Sequence, residues 1–347
     1  MAASTNPVST SGQSSGRPPG MHDVARMAGV SHQTVSRVLN DHPNVRSETR
    51  ERVERAIAEL GYRRNLAARA LVTRRSNTIG VITSVTQLWG PSSTLVSVER
   101  AARSAGYYTS VAGLESIATA DVQEVLSYFI DQSVEGIVVI APEATMAHMA
   151  QPFVSNVPVV MVAAGAEPAP GVQITSVNQQ EGARSATRHL IDLGHTDIAH
   201  LAGPDVSFDA IARLRGWRSE LRKAKLPLGR ISYGDWTSAS GYAAGRSMIQ
   251  RGLPSAVFVS NDLMALGFIR ALHDAGISVP EDISVVGFDD MPGAEHFIPG
   301  LTTVRQDLES LGRQCMTILL DALAGHPSDP PPIDTELVVR DSTRRVD

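Results

Sequence analysis

Cysteine, aromatic side chains and long apolar segments are all scarce in this 347-residue chain. Cys315 is the only cysteine, so no disulfide can form within the chain and a reducing, cytoplasmic location is expected. No run of about 18 apolar residues occurs, which argues against a transmembrane helix. Residues 1–20 are rich in Ser, Gly and Pro and contain no apolar stretch, so they predict a disordered tail rather than a secretory signal.

Acidic side chains outnumber basic ones, but the excess is distributed unevenly. The chain has a net charge of −5, whereas residues 21–75 contain eleven Arg and six acidic residues and so carry +5. Residues 76–347 carry the compensating −11. A small basic segment before a large acidic one predicts a polyanionic partner for the first segment alone. On charge alone, an ordinary solvated helical surface remains the alternative.

Three short helical patterns fit into residues 21–62. They span residues 22–28, 32–39 and 48–60. Gly29 follows the first pattern, where a tight turn needs a residue that tolerates positive φ. Ser31 and Ser47 are suitable N-caps for the second and third helices. Two closely crossed helices joined by a glycine turn, with a third covering them, predict a helix-turn-helix DNA-binding domain.

The second of these helices is the predicted recognition helix. In such domains its N-terminal residues approach base edges in the major groove. Gln33 and Arg37 are the main candidates for reading bases, since Gln pairs with adenine and Arg with guanine. Phosphate contacts are expected from Ser31, Thr34 and Asn40. For each position, a helix cap or a solvated side chain is the alternative. The full predicted set comprises Ser31, His32, Gln33, Thr34, Ser36, Arg37 and Asn40.

Residues 63–77 form a basic, Ala-rich linker. A short helix fits residues 65–71, but it is too short to be stable alone in water. We expect it to order on specific DNA, with Asn65, Ala68 and Leu71 as contacts and Leu71 as a wedge in the minor groove. The alternative is a tether whose Leu71 packs on the following domain.

From residue 78 onward, short apolar runs alternate with amphipathic helical patterns. The apolar runs are 79–85, 107–112, 136–141, 157–163, 198–202, 256–260 and 283–288. The helical patterns are 122–130, 183–193, 243–249, 264–275 and 308–323. This alternation predicts an α/β body of parallel sheets with helices on both faces, and its length favours two lobes. A ligand would bind between them, outside the carboxyl ends of the strands.

Polar side chains follow several of the apolar runs. Asn261 and Asp262 follow one run, Asp289 and Asp290 another, and Gln306 a third. Together with Arg and Trp, such groups suit sugar hydroxyls, although each alone is as consistent with a helix cap. Asp289 and Asp290 resemble a catalytic pair only superficially, because neighbouring residues on a strand end point to opposite faces.

Other function classes lack support. The chain has no G-x-S-x-G nucleophile motif, no phosphate-binding loop and no His pair at ligand spacing, so neither an enzyme, a cofactor nor a metal site is predicted. A transport-type sugar-binding protein would share the body. It would need a signal peptide and would have no use for residues 21–75.

Several motifs in order resemble the lactose repressor (LacI/GalR) family of transcriptional regulators. The motifs are MHDVARMAGVSHQTVSRVLNDHPNVRSETRERVERAIAELGY at 21–62, AARAL at 67–71, LAGP at 201–204, RLRGW at 213–217, GDW at 234–236, SNDLMALG at 260–267, DISVVGFDD at 282–290 and LTTVRQD at 301–307. The resemblance covers residues 21–341. It implies a repressor that binds a palindromic operator as a homodimer. It further implies two periplasmic-binding-protein-like lobes with a sugar effector between them, galactosides being among the candidates. It also implies a hinge helix whose Leu71 opens the centre of the operator.

The resemblance also implies domain boundaries and effector-site residues. The expected segments are a tail at 1–20, the DNA-binding domain at 21–62, a hinge at 63–77, an effector-binding and dimerisation domain at 78–341 (N-lobe about 78–176 and 307–332, C-lobe about 177–303 and 333–341) and a tail at 342–347. By position, Arg213, Asn261 and Asp289 match hydroxyl ligands, and Trp236 matches the ring that packs on the sugar. The remaining matches are Gln306 beside the cleft and Leu88 and Pro91 near the aglycone side.

Four departures from the family member of greatest resemblance limit this prediction. Ala163 replaces an Asp that holds a sugar hydroxyl, and His32 replaces a Tyr of the recognition pair, so effector and operator can both differ. Residues 18–20 replace the usual cap and are expected to shorten the first helix. Leucine heptads are absent after the last strand pattern, so a dimer is expected rather than a tetramer.

A purine, a phosphorylated sugar or a protein corepressor remains the alternative effector. Arg213 is the clear cationic candidate, which favours a neutral ligand.

Overall fold

The computed structural model describes residues 19–63, 75–84, 88–114, 119–140, 157–166 and 171–346. The chain divides into two compact units, residues 1–74 and 75–347. The linker residues expected to contact DNA, Asn65, Ala68 and Leu71, lie outside the described residues. No helix in the described ranges has the length and apolar character needed to cross a membrane.

The first unit contains the three expected helices. They are α1 (Met21–Ala28), α2 (His32–Leu39) and α3 (Ser47–Leu60). Val24, Val35 and Val53, one from each helix, are fully buried against one another. Gly29 ends α1 with φ of 62°, the left-handed conformation that favours glycine. The helix-turn-helix prediction is therefore confirmed at the level of its elements.

The helix ends follow the sequence with two exceptions. Ser31 caps α2, since its hydroxyl accepts a hydrogen bond from the backbone N–H of Thr34 at 3.2 Å. Ser47 is not a cap as predicted: it is the first residue of α3, and Arg46 precedes it without a capping side-chain bond. The expected shortening of α1 is also wrong. The helix begins at Met21, and the carboxylate of Asp23 accepts the free N–H of Gly20 at 2.9 Å.

The second unit alternates strands and helices as expected. Its strands are β1 (Thr78–Ser84), β2 (Tyr108–Leu114), β3 (Gly136–Ile140), β4 (Val159–Val162), β5 (Val172–Thr175), β6 (Ile198–Ala202), β7 (Ile231–Tyr233), β8 (Ala256–Val259), β9 (Ser284–Val286), β10 (Thr303–Gln306) and β11 (Thr335–Val338). Its helices are α4 (Trp89–Ser104), α5 (Thr119–Asp131), α6 (Gln179–Asp192), α7 (Phe208–Lys223), α8 (Ser238–Arg251), α9 (Asp262–Asp274) and α10 (Leu308–Leu323).

The N-lobe is a five-stranded parallel sheet in the order β2-β1-β3-β4-β5. Alternate residues of β3 face opposite sides, as the pleat requires. Ile137 packs with Phe129 of α5 on one side, and Val138 packs with Leu319 of α10 on the other. Because both faces are covered, β3 is buried along its whole length, which explains its uninterrupted apolar sequence.

The C-lobe is a four-stranded parallel sheet in the order β7-β6-β8-β9, beside the antiparallel pair β10-β11. Trp217 and Phe258 lie in the core on one side, and Phe268 and Val257 in the core on the other. The chain passes between the lobes at residues 176–178, where Val177 bridges Ile333.

The C-terminal residues differ from the expected tail at 342–347. Ser342 is fully buried, and its hydroxyl donates to the carbonyl of Val285 at 2.6 Å. The N–H of Val346 donates to the carbonyl of Leu193 at 2.8 Å. Residues 342–346 therefore pack on the C-lobe, held by backbone and hydroxyl bonds that leave little trace in the sequence.

Candidate functional site

Helix α2 presents its expected DNA contacts on its outer face. The set splits by exposure, with partly buried Thr34 and Ser36 and exposed Ser31, His32, Gln33, Arg37 and Asn40. Val35 and Val38 point inward and are buried. The His32 ring stacks on His22, with ring centroids 4.6 Å apart. The helix thus offers a continuous polar surface to a partner.

The members of this surface differ in how they are engaged. Ser31 caps the helix, and the amide of Asn40 donates to the carbonyl of Ser36 at 2.9 Å, so both have structural roles as well. Within residues 19–63 the side chains of Gln33 and Arg37 make no hydrogen bond or ion pair. They remain available to bind DNA.

A cavity lies between the two lobes, outside the carboxyl ends of both parallel sheets. It encloses about 770 Å³ of empty space, part of which is open to solvent. The structure brings all seven residues expected at the effector site to its walls: Leu88, Pro91, Arg213, Trp236, Asn261, Asp289 and Gln306.

The two walls of the cavity differ in polarity. The C-lobe supplies the charged lining residues, namely Arg213, Asp209 and Asp289. The N-lobe side is largely apolar. Ala163, which replaces the Asp noted in the sequence comparison, lies on this side. A ligand would therefore make its charged and strongest polar contacts with the C-lobe.

Four buried or partly buried side chains of the C-lobe wall form a closed ring of contacts. Arg213 Nε donates to Gln179 Oε1 at 2.9 Å, and Gln179 Nε2 donates to Gln306 Oε1 at 2.7 Å. Gln306 Nε2 donates to Asp289 Oδ1 at 2.7 Å, and this oxygen lies 3.5 Å from a terminal nitrogen of Arg213. Arg213 also donates to the carbonyl of Ser260. We name these four side chains, Arg213, Gln179, Gln306 and Asp289, the polar ring.

Asp289 and Asp290 occupy a strained turn after β9. Both have positive φ, 118° and 51°, which is uncommon for residues other than glycine. Asp290 points away from the cavity and pairs with Arg305 at 2.7 Å and Arg340 at 2.6 Å. The two adjacent carboxylates therefore serve different environments, as predicted, although a turn with positive φ separates them rather than the alternation of a strand.

Burial governs the protonation of the cavity carboxylates. Desolvation raises the pKa of Asp289 above its ordinary value, and Arg213 partly opposes this rise. Behind it, Asp262 accepts hydrogen bonds from the Thr303 hydroxyl at 2.6 Å and the Met291 N–H at 2.9 Å. Burial and the nearby charge of Asp289 raise the pKa of Asp262 as well.

The indole of Trp236 is held on the cavity wall by its backbone and by a glycine. Trp236 has φ of 75°, and its carbonyl accepts a hydrogen bond from the Asn261 amide at 3.1 Å. Its ring lies on the bare Cα of Gly203, where an added Cβ would be 2.4 Å from two ring carbons. Asn261 also caps α9 by accepting from Met264 N–H at 3.0 Å. Its expected binding role and the helix-cap alternative are thus compatible.

Sequence reasoning missed Gln179, Asp209 and Trp89, which also line the cavity. Gln179 and Asp209 lie in the first turns of α6 and α7, where polar residues are ordinary. Only their position in space distinguishes them. Among the described residues, no group of three or more His, Cys, Asp or Glu is arranged to hold a metal ion.

Comparison with known proteins gives the family. Residues 20–65 match the family "Bacterial regulatory proteins, lacI family", and residues 187–343 match "Periplasmic binding protein-like domain". The lactose operon repressor of Escherichia coli K12 is 36% identical, with 89% of this chain and 86% of the repressor aligned. The regulator CelR of Thermobifida fusca is 36% identical over 94% of this chain and 98% of its own. This chain belongs to the lacI family.

Solved structures agree with this assignment. The lac repressor dimer bound to operator and the anti-inducer ONPF superposes with a TM-score of 0.86 at 34% identity, covering 94% of this chain and all of the other. The CelR–cellobiose complex gives a TM-score of 0.69 at 33% identity, covering 93% and 99%. As a lacI-family protein, the chain is a transcriptional repressor and not an enzyme.

Proposed function

We propose that this repressor binds a palindromic operator as a homodimer and releases it when a small neutral sugar occupies the interlobe cavity. The observation that carries the proposal is the C-lobe wall. The Trp236 ring lies beside Arg213, Asn261 and Asp289 there, and this combination suits the apolar face and the hydroxyls of a sugar. Two relatives support it, since one solved complex is with cellobiose and another, of the lac repressor, is with ONPG.

The charges in the cavity favour a neutral effector over a phosphorylated one. Arg213 is the single cationic side chain among the described lining residues. Its donors already face Gln179 and the Ser260 carbonyl, and Asp209 and Asp289 lie 3.9 Å and 3.5 Å from it. A phosphate would therefore meet two carboxylates and a guanidinium with two of its three nitrogens already engaged, which opposes its binding. A purine stays the alternative effector, and a relative named "HTH-type transcriptional repressor PurR" is 32% identical to this chain.

Two exposed apolar surfaces support a homodimer. Strand β2 lies at the edge of the N-lobe sheet, and its Tyr108 and Val111 are 61% and 48% exposed. On the C-lobe, Leu266 and Ile298 are 42% and 91% exposed. Unprotected edges and apolar patches of this kind favour association with another chain. We assign a second copy of this chain to both surfaces.

The proposed mechanism couples the cavity to the DNA through the lobes. Sugar binding shifts the two N-lobes of the dimer relative to each other and separates the paired linkers. Operator affinity then falls by the difference in sugar affinity between the two arrangements, commonly about 1–3 kcal/mol.

A sugar panel tests the effector. Monosaccharides and disaccharides, including galactosides, cellobiose and ONPG, are screened by thermal shift, and each sugar that binds is then tested for operator release. Asp289→Ala should bind operator normally but lose the response to sugar, because it lacks a cavity carboxylate that accepts hydroxyl hydrogen bonds. A variant that still releases DNA with sugar contradicts the assignment of Asp289.

Operator selection from random DNA tests the recognition helix. Gln33→Ala should weaken binding to the selected operator by about 1–3 kcal/mol, or roughly 5- to 150-fold, with little effect on random DNA. Gln180→Ala, an exposed amide of the second unit, is the control and should bind both DNAs as the wild type does. An equal loss on operator and random DNA would remove Gln33 from base readout.

A further inference from the structure

The polar ring contains one residue that no sequence pattern indicated. Gln179 is 4% exposed and opens α6 directly after the segment that joins the lobes. Its backbone N–H donates to the Val177 carbonyl at 2.8 Å, and Asn178, which caps the helix, donates to the Ile333 carbonyl at the same distance. The backbone N–H groups of Gln179 and of the residue before it are thus both bound at the interlobe segment, and this segment sets the position of the Gln179 side chain.

The direction of every hydrogen bond in the ring is fixed by its two charged members. A guanidinium only donates, so Gln179 must turn its oxygen toward Arg213. Its amide nitrogen then faces Gln306, which must present oxygen in return. The Gln306 nitrogen consequently faces Asp289, which accepts as a carboxylate. Both ends of each amide are used, so the polarity set at Arg213 is transmitted to Asp289 through two Gln side chains.

This polarity decides what the cavity offers to a ligand. Oδ1 of Asp289 is engaged by Gln306 and lies near Arg213, whereas Oδ2 has no hydrogen-bond partner among the described residues. The ring therefore presents one carboxylate oxygen as an acceptor, next to a terminal guanidinium nitrogen that can donate. An acceptor and a donor side by side match a pair of neighbouring sugar hydroxyls.

We infer that Gln179 is a positioning residue of the effector site. It lines the cavity, but both ends of its amide are engaged by Arg213 and Gln306. It therefore acts by fixing the amide orientation of Gln306 and thereby which oxygen of Asp289 is presented to a hydroxyl. The inference rests on the proposed sugar effector. It adds a determinant of hydroxyl recognition that lies at the start of α6, next to the interlobe segment, and that was absent from the site predicted from sequence.

A reversal of ring polarity tests the arrangement without any ligand. Gln179→Glu still accepts from Arg213 but cannot donate, so the Gln306 oxygen is forced against one of two carboxylates. We expect the melting temperature to fall by about 5 °C. Adding Asp289→Asn supplies a donor at the far end, and the double variant should recover at least half of that loss.

A charge control separates ring polarity from simple repulsion. Asp209→Asn also removes a negative charge next to Arg213, but it gives Gln306 no donor. It should rescue Gln179→Glu much less than Asp289→Asn does. Equal rescue by the two second-site changes overturns the ring as the cause.

The ligand experiment uses cellobiose and ONPG as probes on the full-length chain. Gln179→Ala should weaken probe affinity about tenfold while leaving operator affinity without sugar within about twofold of wild type. Gln180→Ala, one residue further along α6 and exposed, should match wild type in both measurements. Unchanged probe affinity in Gln179→Ala overturns the inference. A wild-type chain that binds neither probe nor any other sugar of the panel contradicts the sugar effector instead, and the stability cycle above still decides whether the ring forms.

Discussion

The contact between the Trp236 ring and Gly203 gives the most specific prediction for the cavity. In Gly203→Ala the new Cβ would lie 2.4 Å from two carbons of the indole ring. Ordinary contacts between carbons are about 3.5–4.0 Å, so the ring must move by roughly 1 Å or more. Gly203 does not have positive φ, so its backbone accepts alanine and the strain falls on the ring. The substitution therefore displaces the proposed sugar-stacking ring without altering the fold.

The expected magnitude follows from the cost of adding a methyl group to a packed site. Overpacking typically costs about 1–3 kcal/mol, and if the ligand must restore the displaced ring, sugar affinity falls roughly 5- to 150-fold. Isothermal titration with the sugar found in the panel measures this loss. Operator affinity without sugar should stay at the wild-type value, because the ring and α2 belong to different compact units of the chain.

Gly90→Ala is the matched control. It also adds a methyl to the cavity wall, but no atom of the described residues lies within 4 Å of the new Cβ. If both variants lose the same affinity, narrowing of the cavity and not displacement of Trp236 is the cause. Wild-type sugar affinity in Gly203→Ala would refute the stacking role of the ring.

Two further predictions concern stability against pH. Hydrogen bonds from Arg188 hold the pKa of Glu220 at about 2, below its ordinary 4.5, so its stabilisation is complete above pH 4.5 and is lost as the pH falls toward 2. The melting temperature of Glu220→Gln should therefore lie below wild type at neutral pH and converge with it in acid, whereas Glu309→Gln, at an exposed pair, should track wild type throughout. Asp262 has a raised pKa, so its contribution is complete below its unfolded value near 3.8 and is lost as the pH rises through the raised value. Between about pH 5 and 8 the melting temperature should fall less steeply with pH in Asp262→Asn than in the wild type. If the melting temperatures of the two proteins fall in parallel, Asp262 does not titrate in this range.

The elements of the DNA-binding unit were predictable because local signals set them. The bounds of α2 match the expected 32–39, and the turn at Gly29 needs positive φ. The errors concern the first residues of helices, where the residue that caps the helix, or precedes it, need not be the one with the best capping side chain. Asp23 does this for α1, and Arg46 precedes α3 in place of the expected Ser47.

In the second unit, the apolar runs and the predicted amphipathic patterns correspond to strands and helices, and the omissions include short elements and a helix with buried charges. The run at 198–202 coincides with β6, whereas β7, with three residues, was missed. Helix α7 was missed too, because one of its faces carries Arg213 and Glu220, both buried among partners from other elements. A buried charge disguises the apolar periodicity on which helix prediction relies.

The sequence by itself determined the family, the alternation of strands and helices, and seven residues of the cavity wall, because local motifs specify each of these. Tertiary structure alone decided how those residues act together. Gln179 and Gln306 are 127 positions apart and still share a hydrogen bond, and Gly203 supports Trp236 from a neighbouring strand end. Such contacts depend on how the strands and the interlobe segments pack together, and this packing determines which oxygen of Asp289 is bonded to Gln306.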